Sequence, residues 1–197
     1  MWQDMSFQAG QGRSYKYLKP SVKPLYEFAS GTSFTTFVMQ AHDEAPLKLG
    51  QAPTMACVAI TNTGRRKSPV VITLFSSTTR ADLESSNAMD RSVVTLESTD
   101  TAPRLIPNRQ LIAFEKVHTT PQQTQTVCMA VRDEDLAMVD DAGSHVAYAG
   151  QYTLTFFDGV SKATVKATIE TKRTVATVPA VDNPQPPCCM GSQTSCC

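Results

Sequence analysis

The sequence has no apolar run approaching the ~20 residues that a bilayer-spanning helix requires. It has no excess of charge of either sign, with 18 basic residues against 18 acidic ones. Balanced charge removes the electrostatic footprint expected of a nucleic-acid or anionic-membrane binder. Tryptophan occurs once, at Trp2, and histidine three times, at His42, His118 and His145, in three separate segments. No Asn-x-Ser/Thr sequon occurs, and the first residues, MWQDMSFQAGQGRSYKY, show neither the apolar core nor the cleavage pattern of a secretory signal. There is no phosphate loop, no Gly-x-Ser-x-Gly elbow and no Cys-His arrangement at a recognisable spacing.

What remains is a chain of 197 residues, enough for one domain with appendages. From residue 54 onward it breaks into short apolar runs separated by turn signals. TMACVAIT ends at Asn62-Thr63-Gly64, and its inward face falls on Met55, Ile60 and either Cys57 or Val58. PVVITLFS opens with Pro69, a tolerated first strand residue. RSVVTLES is a weaker strand candidate, RQLIAFEKVH and QTVCMAVR flank a loop, and DLAMVDDAGSHVAYAG holds two very short strands around an Asp-Ala-Gly turn. QYTLTFFDG puts Tyr152, Leu154 and Phe156 on one face. In KATVKATIE, Ala163, Val165, Ala167 and Ile169 face one way while Lys162, Thr164, Lys166, Thr168 and Glu170 face the other. Such alternation belongs to a sheet with one wet side. About seven or eight short strands at this spacing predict an all-β fold, an antiparallel immunoglobulin or fibronectin type III-like sandwich.

The predicted organisation is an irregular junction over 1–37, a sandwich over 38–175 carrying a loop insertion at 77–104, and a disordered cysteine-rich tail over 176–197. Cys57 and Cys128 lie in apolar strand-like runs, the setting of a small buried hydrophobe; a bridge between them across the sandwich is the alternative. Cys188, Cys189, Cys196 and Cys197 crowd the last ten residues. Their spacing fits no standard zinc site and forms no prenylation box, which leaves an incidental or palmitoylated tail. His42-Asp43-Glu44 and Asp140-Asp141-Ala142-Gly143 read as solvated turns rather than metal sites. No metal, cofactor or catalytic residue is predicted. Among aromatics able to stack on sugars, Phe114, Tyr148, Tyr152, Phe156 and Phe157 alternate with polar residues in strands and are expected in the core.

The stretch KPLYEFASGTSFTTF, Lys23 to Phe37, is apolar without helical or strand periodicity. With the preceding GRSYKY it resembles the junction that leads, in glycoside hydrolase family 3, into a C-terminal fibronectin type III-like domain. VAITNTGRRKSPVVITLF, RQLIAFEKVHTTPQQTQTV and DLAMVDDAGSHVAYAGQYTLTF are similar to successive motifs of that domain, and FEKVH leans towards the β-xylosidase branch. The resemblance covers about residues 12 to 160 in order. It departs where Glu27 replaces Pro, Ala29 replaces Gly, Thr32 replaces Leu and Phe34 replaces Tyr. An alanine at 29 strains any turn that needs positive φ there.

The resemblance implies an accessory module of a xylosidase- or glucosidase-type enzyme, a fragment in which nothing corresponds to the family's Asp nucleophile or Glu acid/base. Retaining glycosidases need two carboxyls about 5 Å apart across the scissile bond. Arg13 and Tyr15 would be the nearest residues to sugar, and Tyr26, Phe28, Gly31, Phe34 and Phe37 would form the junction with the catalytic domains. Those domains, in cis or in trans, would be the partners, with carbohydrate as a further ligand class, and the setting would be secretory or extracellular. Alternatives are a carbohydrate-binding module and a lipid-anchored module using the tail cysteines. An exposed apolar patch of Tyr15, Tyr17, Leu25, Tyr26, Phe28 and Phe34 is expected unless a partner covers it.

Overall fold

A computed structural model of the protein describes residues 11–42, 45–86 and 105–176. It contains eleven strands: β1 Phe37–Ala41, β2 Leu47–Leu49, β3 Thr54–Asn62, β4 Ser68–Ser77, β5 Gln110–Thr119, β6 Thr124–Val131, β7 Met138–Val139, β8 His145–Ala147, β9 Gly150–Phe157, β10 Lys162–Ile169 and β11 Arg173–Ala176. The helical pieces are a single turn, α1 Ser14–Tyr17, and the short helix α2 Arg80–Ser86, with a 3-10 turn at Asp133–Leu136.

The strands form a three-stranded sheet ordered β1-β3-β6, a five-stranded sheet ordered β2-β10-β9-β4-β5 and a small third sheet β11-β8-β7. All pairings are antiparallel except β2 with β10. The chain is therefore all-β, as its alternation predicts. β5 and β6, adjacent in sequence, lie in different sheets, so the Thr-Thr-Pro-Gln-Gln loop carries the chain across the sandwich.

The core lies between the two larger sheets. Ala56, Val58 and Ile60 of β3 and Val127, Met129 and Val131 of β6 meet Ile72 and Leu74 of β4, Leu154 and Phe156 of β9, and Val165 and Ala167 of β10. Each group is one face of a period-2 strand, and burial of its larger side chains stabilises by roughly 1.5–3 kcal/mol apiece. The KATVKATIE face prediction holds: Ala163, Val165, Ala167 and Ile169 are buried. Tyr152 is buried and donates its hydroxyl to Tyr148 O at 2.8 Å. Desolvation raises the pKa of that phenol well above its ordinary value.

Two expectations are corrected. β3 takes the phase in which Ala56, Val58 and Ile60 point inward, so Met55 is half exposed and Cys57 points outward. β6 has the same phase, placing Cys128 opposite Cys57 in register, and the two form a disulfide with Cα atoms 4.1 Å apart. The cysteines are thus neither buried hydrophobes nor a bridge across the sandwich. They cross-link neighbouring strands of one sheet on its solvent side. The second correction concerns the segment expected as a loop from 77. Residues 80–86 form α2, because Thr79 caps it, exchanging bonds with Asp82, and Leu83 is wholly buried against the core. Packing there is close enough that a Cβ on Gly150 would come within 2.7 Å of Leu83 Cδ2. The strand candidate around residues 91–98 and the tail cysteines Cys188, Cys189, Cys196 and Cys197 lie outside the described residues, as does Asp43-Glu44.

Two polar devices fix the ends of the sandwich. Asn62, fully buried, accepts from Thr35 Oγ1 and Gly64 N and donates to Arg66 O and Thr119 Oγ1. Asp133, 4% exposed, accepts from Arg173 Nε at 2.9 Å and from Arg173 Nη2, tying the 3-10 turn to β11. The Arg173 hydrogen bond holds the Asp133 carboxyl below the usual carboxylate range.

Candidate functional site: the junction and its groove

The sequence from Gln11 to Thr36 folds back along the sandwich instead of extending from it. It enters through α1, where the carbonyls of Lys16 and of Leu18 just past the helix accept from Asn108 N and Nδ2. Tyr15 stacks on Phe28, centroids 4.0 Å apart at 8°, and both rings meet the edge of Phe75 at 6.1 Å. The Tyr15 hydroxyl accepts from Leu111 N. Above this cluster sits Arg109, its guanidinium 4.8 Å from the Phe75 centroid and 5.9 Å from that of Tyr15. Stacked rings capped by a guanidinium form a local cluster in which Phe28 remains 43% exposed.

Glu27 closes the arrangement. Its Oε1 accepts from Arg109 Nη1 at 2.6 Å and from Lys162 Nζ at 2.9 Å, so one carboxylate joins the junction to the starts of β5 and β10. The hydrogen bond from Lys162 is the largest cause lowering the Glu27 pKa, with the Arg109 charge adding to it. A single side chain thus bridges two strands. One position on, Arg109 also donates to Phe28 O. Ala29 has φ 67°, the left-handed conformation anticipated for the glycine-to-alanine change, at a cost of order 1 kcal/mol. The segment then touches the β9–β10 turn, where Gly31 N donates to Gly159 O. Gly159 has φ 98° and a Cβ there would lie 2.9 Å from Gly31 N, so the contact needs glycine.

The residues singled out in the sequence fall into two groups. Tyr15 and Phe28 are brought together with Phe75 and Arg109, neither of which periodicity could point to. Leu25, Tyr26 and Phe34 are 89%, 80% and 86% exposed. Arg13 is exposed just before α1, and Phe37 begins β1, partly buried against the core. Of the five strand aromatics expected inside, Tyr148, Tyr152, Phe156 and Phe157 are buried, whereas Phe114 is 68% exposed. The correction has a plain cause: Phe114 lies on β5, an edge strand, and pairs with Thr73 on the face away from the partner sheet.

Between the junction and the outer side of the five-stranded sheet runs an open groove of about 1370 Å³. Tyr15, Leu25 and Tyr26 line its junction side; Thr153, Thr155 and Thr164 form part of its floor. Its two carboxylates are both engaged. Glu27 is held ionised by two cations, the reverse of what a general acid needs, and Asp82 caps α2. Among the described residues no group of three His, Cys, Asp or Glu side chains could hold a metal ion, and no helix is long and apolar enough to cross a membrane.

A family model described as a fibronectin type III-like domain matches residues 98–157. A probable exo-1,4-beta-xylosidase of Aspergillus fumigatus is 27% identical over 173 residues, covering 77% of this chain and 19% of its own length. A periplasmic beta-glucosidase of Salmonella typhimurium is 28% identical over 152 residues, covering 77% of this chain and 17% of its own. The chain thus spans about a fifth of the length of these curated relatives. Among solved structures, a GH3 exo-beta-xylosidase in complex with a xylobiose aziridine activity-based probe superposes with a TM-score of 0.69 at 20% identity, over 88% of this chain and 23% of that one. A beta-glucosidase from Kluyveromyces marxianus in complex with glucose gives 0.58 at 20% identity, over 79% and 16%. At these identities the structural likeness establishes the fold.

Proposed function

We propose that the chain, similar to the fibronectin type III-like domain of family 3 xylosidases and glucosidases, serves such an enzyme as a non-catalytic accessory module. In this reading it packs against catalytic domains, in cis or in trans, and steadies them. The enzyme is β-xylosidase-like and acts on xylan-type oligosaccharides.

One observation carries the proposal. A segment pinned to the sandwich at Tyr15, Glu27 and Phe28 holds Leu25, Tyr26 and Phe34 almost fully in solvent. Large apolar side chains left outside a folded core along one short segment mark a surface suited to being covered. Among the described residues, the carboxyls lining the groove beside Leu25 and Tyr26 are Glu27 and Asp82, both already engaged in hydrogen bonds, which is compatible with a role outside the chemical step.

Hydrolysis of an aryl β-xyloside and an aryl β-glucoside by the purified chain, alone and mixed with a separately expressed family 3 xylosidase catalytic part, tests this. The expected result is no turnover by the chain alone, together with a higher midpoint temperature or restored activity of the catalytic part in the mixture. Turnover by the chain alone would sink the reading. Replacing Leu25, Tyr26 and Phe34 together by serine should abolish the effect of mixing while leaving the sandwich folded.

A further inference from the structure

The charges lining the groove do not cancel. Lys19, Lys23, Arg109 and Lys162 are cationic and Glu27 and Asp82 anionic. Arg109 and Lys162 both serve Glu27, and Asp82 serves Thr79. Lys19 and Lys23 are exposed and form no ion pair with any described residue. They stand on the wall that also carries Val22, Leu25 and Tyr26, so ammonium groups alternate there with apolar side chains. A cationic rim interleaved with exposed apolar groups is complementary to chain that interleaves carboxylates with apolar groups.

A sugar chain fits this wall less well. Pyranose rings are recognised by free flat aromatic faces. Here Tyr15 and Phe28 stack on each other, Leu25 is not planar, and Tyr26, 80% exposed, is the wall's one unstacked ring.

We propose that the groove beneath the junction receives an acidic segment of a partner's surface, one that presents two or more carboxylates between apolar side chains, with Lys19 and Lys23 as its cationic contacts. This rests on the accessory reading above and names the chemistry of the surface that covers the junction. Burial of Leu25 and Tyr26 supplies part of the attraction, and pairing of the two lysines with the partner's carboxylates supplies the rest while selecting the partner and fixing its register.

The test is a titration of the full chain, by calorimetry or NMR, with three probes: a short alternating Glu-Leu peptide, the matching Gln-Leu peptide and a glucuronate-bearing xylo-oligosaccharide. The Glu-Leu peptide should bind, and its affinity should fall about tenfold as monovalent salt rises from about 0.05 M to about 0.5 M. Lys19→Glu combined with Lys23→Glu should remove binding without changing the melting midpoint, whereas Lys67→Glu, outside the groove, should leave it intact. Equal binding of the Gln-Leu peptide, binding of the acidic sugar alone, indifference to the double charge reversal, or no binding at all overturns the proposal. No catalytic part takes part in this titration, so its failure leaves the accessory reading to stand or fall on the mixing experiment.

Discussion

The sandwich and the junction are built from the same kinds of residue and are held by different means. In the sandwich, apolar side chains from facing sheets are wholly buried, Asp133 keeps its charge out of water only with Arg173 beside it, and β3 and β6 are cross-linked by Cys57–Cys128. In the junction, a partly exposed carboxylate, a ring stack and scattered hydrogen bonds hold a segment whose Ala29 is strained and whose Leu25, Tyr26 and Phe34 face solvent. The sandwich therefore satisfies its own requirements, and the junction satisfies only half of its own. A segment fastened at a few points, with apolar groups facing outward, is the part of the molecule suited to meeting something else.

The contrast can be broken from the sandwich side first. Arg173→Met leaves Asp133 buried without its cation and should cost about 3–5 kcal/mol, read as a fall in the denaturation midpoint. The same pair sets a pH dependence. Because the Asp133 pKa is depressed in the folded state, its contribution is complete above the ordinary carboxylate pKa of about 4 and is lost as pH falls through the lower folded value. Wild-type stability should therefore decline on acidification in that window, and the Arg173→Met protein should lack this component. Replacing Cys57 and Cys128 together by serine releases a cross-link spanning 71 residues of sequence and should cost about 2–4 kcal/mol, with the fold retained by circular dichroism.

Smaller effects belong to the junction. Ala29→Gly relieves the left-handed strain and should stabilise by about 1 kcal/mol, seen as slower proteolysis between residues 18 and 36. Glu27→Gln loosens two partly exposed ion pairs, so the global midpoint should barely move while proteolysis of the same segment accelerates and loses its salt dependence. A large global loss from Glu27→Gln would erase the distinction between the two regions.

Much of the architecture was legible because it is written in adjacent residues. Alternation in Lys162–Ile169 named the inward face residue by residue, and the Asp-Ala-Gly turn between two very short strands appears as β7 and β8. The disulfide was within reach of the same logic. Once Ala56, Val58 and Ile60 face inward, Cys57 faces out, and Val127, Met129 and Val131 do the same for Cys128; the ambiguity lay in the phase of TMACVAIT, where both faces carry apolar residues. α2 was obscured because Leu83, a side chain that anchors it, gives no periodic signal.

By itself the sequence determined the all-β class, the inward faces of β9 and β10 and the presence of an apolar segment that neither strand nor helix periodicity accounts for. Only the tertiary structure decided that β3 and β6 lie in one sheet with Cys57 opposite Cys128, and that Glu27 lies between Arg109 and Lys162. The physical reason is range. Strand periodicity is a local property of the backbone pleat, whereas the Glu27 contacts join residues 82 and 135 positions apart, which are brought within hydrogen-bonding distance only when the sheets have packed.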